Sequence, residues 1–201
     1  MNAACQLLKE TNFKSLCFVT TTIFTFYYNS GTPYVTFMSD EDAFQQKDFL
    51  ISTHKQISYD DCEGKVSFTF EHACAAVQFQ IAQTQTIADQ GHSITVNSVV
   101  LKNVCKRGDY YYDSGWTLGT NADDYTYYTL TNTSIDLSTT YTLLPCQWLF
   151  LIPQSQSTIQ VEIKYTVDGG AEQSKLIDLG TDSWTAVNSY TINIRVGTSF
   201  L

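Results

Sequence analysis

The chain contains three histidines, His54, His72 and His92, and six cysteines, Cys5, Cys17, Cys62, Cys74, Cys105 and Cys146. Imidazole and thiolate are the side chains best suited to metal ligation and nucleophilic attack near neutral pH. Their spacing here organises neither. No Cys-x-x-Cys occurs, and Cys62, His72 and Cys74 fit no zinc-finger spacing, so no metal is expected. A Ser-His-Asp triad assembles in space and follows no fixed sequence order. The Gly-x-Ser-x-Gly elbow that presents a nucleophilic serine is missing. The chain is read as non-enzymatic, with no catalytic residue and no cofactor. His72 continues the inward parity of Phe68 and Phe70 and is expected to be a hydrogen-bonded structural histidine.

Three further groups could bind rather than react. Arg107-Gly108-Asp109 is an integrin-type tripeptide, expected in a turn and read as a chance occurrence. Asp109, Asp113, Asp123 and Asp124 could face a cation from neighbouring loops, but they lack EF-hand spacing and read as solvated acidic turns. The aromatic run is more suggestive. Tyr110, Tyr111, Tyr112 and Trp116, followed by Tyr125, Tyr127 and Tyr128, could stack on the apolar faces of sugars or on partner side chains. The first four are the candidate ligand-binding aromatics. Strand alternation turns half of such a run inward, so core packing competes with that reading. Asn132-Thr133-Ser134 is a glycosylation sequon in form only.

The composition narrows the partners. Of 201 residues 43% are hydrophobic and 15% charged, too few charges for a disordered chain. A net charge of −9 argues against nucleic acid, which needs clustered Lys and Arg, and against docking on anionic lipid. The longest apolar run, Trp148 to Pro153, is far below the roughly 20 residues of a membrane-spanning helix. The scattered cysteines are too sparse for a disulfide scaffold and read as mostly buried thiols, with one or two bridges left open. No signal peptide is read in Met1-Asn2-Ala3-Ala4-Cys5. Two small residues before Cys5 resemble the end of a lipoprotein signal; the competing reading is a cysteine without a role.

With 13 Tyr, 12 Phe and abundant Thr and Ser, the chain has the makeup of pleated surfaces, and an all-β fold is expected. Val66, Phe68, Phe70 and His72 alternate with polar residues, and Val77, Phe79 and Ile81 alternate at the opposite parity. The switch across Ala73 to Ala76 marks either a β-bulge or a strand crossing between layers. Ile94 to Val96 and Val99 to Leu101 are two short strand candidates. Trp148 to Ile152, apolar at both parities, reads as a central strand stopped by Pro153. Ile159 to Val167 alternates strictly, Asp168-Gly169-Gly170 is a hairpin turn, and Leu176 to Leu179 and Tyr190 to Val196 follow as strands, with Ile163 and Ile194 inward. No sustained helical period occurs. These elements imply an antiparallel β-sandwich. Residues 1–62 form a short β-rich segment, with Ser39 to Lys47 a loop or short helix and Asp60 to Gly64 an acidic turn. Residues 63–201 form the main domain.

Several stretches together resemble one family. Phe70-Glu71-His72-Ala73-Cys74-Ala75-Ala76-Val77-Gln78-Phe79 is similar to the Phe-x-His-Ala-x-Ala-x-Val-x-Phe strand of fimbrillin-like proteins, the surface subunits of Bacteroidetes type V pili and their relatives. Leu151-Ile152-Pro153-Gln154 resembles that family's Leu-x-Pro-Gln signature. Trp184 with Tyr190-Thr191-Ile192 resembles its closing Trp-x-x-Gly-x-x-Tyr motif, with Val187 in the place of Gly. Asp48 to Ser52 resembles the segment before the His strand. The resemblance assigns His72, Pro153, Gln154, Trp184 and Tyr190 to the framework. It implies a transthyretin-like, Greek-key sandwich with residues 1–62 as a reduced first sandwich. It also implies a lipoprotein at the outer membrane and a function in cell adhesion or fimbrium assembly. Partners would be other pilus subunits joined by strand addition, or a host or bacterial surface protein or glycan. Because Leu201 follows the last strand directly, a tip, anchor or stand-alone position is expected over a stalk subunit. A carbohydrate-binding sandwich module using the Tyr-rich loops is the alternative.

Overall fold

A computed structural model describes residues 34–52, 69–146 and 148–201 in full, together with the backbone of residues 4–5, 17–18, 26–29 and 32–33. His54, Cys62, Val66, Phe68 and the acidic turn at Asp60 to Gly64 lie outside the described residues, as do the side chains of Cys5 and Cys17.

The front of the chain supplies β1 (Ala4–Cys5), β2 (Cys17–Phe18), β3 (Phe26–Asn29), β4 (Thr32–Met38) and β5 (Leu50–Ser52). Between β4 and β5 the acidic stretch is a loop. It is held by Asp40 and Asp42, whose carboxylates accept the amides of Asp42 and Phe44 at 2.9 Å each. β6 (Phe70–His72) and β7 (Ala75–Gln83) follow, then a single helical turn, α1 (Gln85–Asp89), anchored by buried Ile87. Next come β8 (Ile94–Cys105), β9 (Arg107–Tyr111), β10 (Gly115–Leu118) and β11 (Tyr125–Thr131). β12 (Ile135–Asp136), β13 (Thr142–Leu143), β14 (Leu149–Leu151), β15 (Gln160–Val167), β16 (Gln173–Asp178) and β17 (Ser189–Val196) complete the set.

Two sheets form the sandwich. One runs β11-β8-β15-β16, with β12 continuing the β11 edge along β8. The other has β7 at its centre, β13 and β14 end to end on one side and β17 on the other. Between them lies the main core. β7 contributes Val77, Phe79 and Ile81, β8 contributes Val99 and Leu101, and β15 contributes Val161 and Ile163. Burial of each such side chain stabilises the fold by about 1.5–3 kcal/mol. Ile163 and Ile194 point inward, as the alternation predicts. Pairing within the sandwich is antiparallel except for β17, which lies parallel to β7 from Ser189 opposite Ala76 to Val196 opposite Gln83.

A third sheet, β10-β9-β4-β3, covers a second and smaller core. Val35 and Phe37 of β4 meet Phe49, Ala73, Cys74 and Ile152, with Tyr110, Trp116, Leu118 and Phe150 packed against them. Two cores explain two irregular stretches of the sequence. At Ala73 to Ala76 the chain leaves β6, which pairs with β5, and enters β7 in the sandwich. Ala73 and Cys74 are buried in the second core and Ala75 and Val77 in the first. The parity switch is therefore a crossing between layers. β14 is wedged between the same two cores, with Leu149 and Leu151 facing one and Phe150 and Ile152 the other. It is covered on both faces as expected, but among the described residues it pairs only with β7, at the edge of that sheet rather than at its centre.

The segments around Ile94 and Val99 are one strand. Register slips between Lys164 and Tyr165 of the neighbouring β15, leaving Asn97 as an extra residue that flips the apolar parity. A second irregularity falls at Asn103, whose φ of 64° is left-handed and whose side-chain amide donates to the Thr158 carbonyl at 2.9 Å. After it, β8 ends at Cys105 and the chain turns into the third sheet.

Candidate functional site

Strand alternation divides the four candidate aromatics between opposite faces of the third sheet. Tyr110 and Trp116 are cross-strand partners and face the second core. Their rings meet edge to face at 5.2 Å, and Trp116 also packs against Phe49 at 5.5 Å and Phe37 at 5.9 Å. The indole Nε1 donates to the Ala73 carbonyl at 2.7 Å, which ties the hairpin to the layer crossing. Burial is the main cause that pushes the Tyr110 phenol above its usual range. Tyr111 faces the other way and stacks on Tyr34, its partner across β4, with centroids 4.9 Å apart. Tyr112 begins the turn into β10 and is only partly buried.

Two of the acidic groups nearby, Asp109 and Asp124, are engaged, and Asp113 and Asp123 are exposed. Arg107, Gly108 and Asp109 lie on β9, not in the expected turn, so the tripeptide is extended and Gly108 is buried between neighbours. Asp109 accepts from the Thr36 hydroxyl at 2.6 Å. Asp124 is buried, accepts the Asn121 amide at 2.9 Å and lies 3.6 Å from Arg107. A Cβ on Gly119 would come within 2.4 Å of the Asp124 carboxylate, which is why a glycine stands there. Among the described residues, no three His, Cys, Asp or Glu side chains come together to hold a metal ion.

His72 faces solvent, contrary to the inward placement read from its parity. β6 lies in a separate two-stranded sheet with β5, and the three residues of β6 are all exposed. The imidazole is nevertheless hydrogen-bonded, through Nδ1 to Asp48. Cys74, two residues on, is a buried thiol; burial, and secondarily the Asp48 charge, pushes its pKa far above the thiol range. It stays protonated at physiological pH and is not an activated nucleophile. Cys105 and Cys146 are likewise buried free thiols, with Cys146 pushed up to about 11 chiefly by burial. His92 pairs with Asp168 at 2.7 Å, and the Ser93 hydroxyl also reaches that carboxylate, at 3.3 Å, so these three groups do not form the Ser-to-His relay of a hydrolase.

Of the residues that the resemblance singles out, Pro153, Gln154, Trp184 and Tyr190 lie along one run of contacts. Pro153 ends β14, and the buried Gln154 amide then caps the end of β8. Its Oε1 accepts from the Cys105 amide at 2.8 Å, and its Nε2 donates to the carbonyls of Cys105 at 3.1 Å and Ile152 at 3.0 Å. The Gln154 carbonyl accepts the Trp184 amide at 2.9 Å, and the Trp184 indole is buried in the main core. From there the chain turns sharply. The Tyr190 hydroxyl braces the turn by bonding the Thr185 amide at 3.1 Å and hydroxyl at 2.9 Å. The turn docks on the layer crossing through Val187 N–H to Cys74 C=O at 3.3 Å and Ala76 N–H to Asn188 C=O at 3.0 Å.

Val187 has a φ of 68°, a left-handed conformation that a β-branched residue adopts only under strain. This is the position where the family motif has glycine. The Val187 side chain is 62% exposed and adds little packing in return. Strain of about 1–3 kcal/mol should outweigh the smaller entropic cost of a more flexible unfolded chain. Val187→Gly is expected to stabilise the protein by about 1 kcal/mol, raising Tm by about 2–4 °C in thermal denaturation. A lowered Tm would show that the turn is not strained at this residue.

Between the turn and the crossing opens a cleft of about 160 Å³, lined by Asp48, His72, Cys74, Ala76, Phe150 and residues 187–189. Three of the motif segments, those holding Asp48, His72 and Val187, thus meet at one opening. Sequence reasoning named His72 but not this convergence, because nothing in the chain order brings the three segments together.

The class these elements define is a β-sandwich with an added sheet, joined by these contacts. The chain belongs to the fimbrillin-like family, whose profile matches residues 19–200. Among solved structures it is similar to a fimbrial protein from Bacteroides vulgatus, with a TM-score of 0.60 at 14% identity over 94% of this chain and 75% of that one. It is also similar to a candidate cell adhesion protein from Bacteroides uniformis, with a TM-score of 0.55 at 16% identity over 94% and 68%. At such identities the likeness shows the fold. No curated protein matches the chain. Among the described residues, no helix is long and apolar enough to cross a membrane.

Proposed function

We propose that the chain is a non-enzymatic cell-surface subunit for adhesion or pilus assembly, held at the outer membrane, that engages its partner by strand addition along β17. A position at a tip, at an anchor or standing alone is part of the same proposal. Family membership supports the role, and the β17 edge carries the mechanism. β17 pairs with β7 on one side, and among the described residues no strand lies on its other side. Its inward residues Tyr190 and Ile192 are only partly buried, and so are Ile177 and Leu179 along the β16 edge of the facing sheet. An edge with free backbone groups beside incompletely covered apolar residues offers both the hydrogen bonds and the pockets that an extended segment needs.

The carbohydrate-binding alternative is favoured by one observation, the Tyr34–Tyr111 stack on the face turned away from the second core. One pair of experiments separates the readings. Hydrogen exchange with an extended peptide of alternating Thr, Val and Ile should slow the amides of residues 189–196 and leave the third sheet unchanged. A glycan array should give no signal. Reproducible glycan binding that Tyr111→Ala abolishes, with no peptide protection at β17, would reverse the order. Tyr111 is the informative position because Trp116→Ala would disturb the second core as well.

A further inference from the structure

The open side of the sandwich between β16 and β17 changes character along β17. Beside its first half the inward residues Tyr190 and Ile192, with Ile177 and Leu179 along the β16 edge, are apolar and only partly buried. Beyond them the chain fills the space itself. Ile194 and Val196 are buried, and the turn Thr198–Phe200 that follows β17 folds back to bury the Phe200 ring, 5.0 Å from Tyr165. A cation stands at this closed end. Lys175 pairs in register with Ile163 and shares its inward face, although β16 is an edge strand. Its Nζ lies 4.4 Å from the Phe200 ring centroid and donates to the Ser199 carbonyl. That bond is exposed to solvent, and an ammonium group carries three donors, so the cation is accessible with donors to spare.

On the outward face of the same end, Arg195 stacks over the Tyr141 ring at 4.6 Å and donates through Nε to its hydroxyl at 3.1 Å. Lys102, Lys106 and Arg107 each stand beside a carboxylate. Among the described residues no carboxylate pairs with Lys175 or Arg195. A chain of net charge −9 thus keeps two cations without a counter-charge at the C-terminal end of its unpaired strand.

We propose that the extended segment added along β17 is acidic at this end, carrying an aspartate or glutamate that meets Lys175 next to two apolar residues that cover Tyr190 and Ile192. The inference rests on the strand-addition reading and specifies its partner. Residues at alternate positions of a strand share a face, so three of them span about 13 Å and fall level with Tyr190, Ile192 and Ile194. The acidity of the chain as a whole does not oppose this pairing, because repulsion from charges more than about 8 Å away is largely screened at physiological salt. An inward lysine on an edge strand also has a purely protective use, discouraging any strand from pairing there. The two uses differ in their consequences: a protective lysine weakens every added segment alike, whereas a selective one ranks segments by charge.

The test uses capped heptapeptides Thr-X-Thr-Val-Thr-Ile-Thr and the reversed sequence, with X as Asp, Asn or Lys. Each is titrated into the protein, and binding is read from slowed hydrogen exchange of the amides of residues 189–196. In one of the two orders the Asp peptide is expected to bind about fivefold tighter than the Asn peptide, and the Lys peptide more weakly than either. About 1 M salt should remove the difference. Lys175→Glu should reverse the ranking, and Lys175→Met, which keeps the length of the stem, should level it. The ranking itself is measured on the unaltered protein, so a folding defect in a variant does not remove the test. Equal protection by all three peptides in both orders overturns the acidic preference and leaves strand addition standing. Failure of every peptide to protect β17 overturns strand addition, and this inference with it.

Discussion

Ile163→Asp is expected to abolish the cooperative thermal transition and to leave a far-ultraviolet circular dichroism spectrum without its strand signature. Ile163 is fully buried and lies mid-strand in β15, between Val99 of β8 and Lys175 of β16. Its side chain points into the core shared with β7, a cluster of apolar and aromatic residues that contains no charged group. The substitution removes about 1.5–3 kcal/mol of apolar burial and adds the larger cost of an unpaired buried charge. The sum is comparable to the whole stability of a typical domain, about 5–15 kcal/mol. Lys164→Asp, one residue along and exposed, should change stability by no more than about 0.5 kcal/mol. A parent-like melt for Ile163→Asp, or equal losses for the two variants, would mean that the face assignment of β15 is wrong.

That contrast shows where the sequence is most legible. β15 and β17 alternate without interruption because each lies in a regular sheet with one face on one core. Alternation alone then gives the strand, its inward face and the fold class. It fails where a segment serves two cores. Trp148 to Ile152 shows no single parity because Leu149 and Phe150 answer to different clusters, and such a run resembles a central strand although β14 has one neighbour among the described residues. It fails again at Asn97, where one extra residue makes a 12-residue strand look like two. Nor does alternation reveal strand direction, so the parallel pairing of β17 with β7 could not be read from it.

The candidate site was legible in its parts and hidden in its assembly. The resemblance singles out the motif residues one by one, but the links among Gln154, Trp184, Val187 and Asn188 run through backbone groups, which carry no residue-type signal. His72 shows the limit most clearly. Its parity follows Phe70, yet β6 is a three-residue strand outside the sandwich, and Phe70 itself is 36% exposed. Alternation presumes a core on one side, and at β6 all three residues are exposed. The Asp48 partner lies 24 positions earlier in sequence, beyond the reach of any local pattern.

Gln154→Ala is expected to lower stability by about 3 kcal/mol, although the residue is polar. Its amide fills the hydrogen-bonding capacity of three backbone groups, Cys105 N–H, Cys105 C=O and Ile152 C=O. Each group left buried without a partner costs about 1–3 kcal/mol, and water entering the vacated space would recover part of that. Gln154→Leu separates the two effects. Leucine keeps much of the volume, keeps water out and supplies no hydrogen bond, so it should destabilise more than alanine does. That order is the reverse of what core packing alone would give. Gln160→Ala, which removes a 2.8 Å bond to Asp178 on the exposed face, should cost no more than about 0.5 kcal/mol. The loss at Gln154 should also be local in origin. Cys105 is the last residue of β8 before the chain enters the third sheet, so amide exchange should quicken first in β9 and β10 while β15 stays protected. If leucine proves milder than alanine, or if exchange rises evenly across all sheets, the glutamine holds its place by shape, and the junction between the two cores does not depend on its hydrogen bonds.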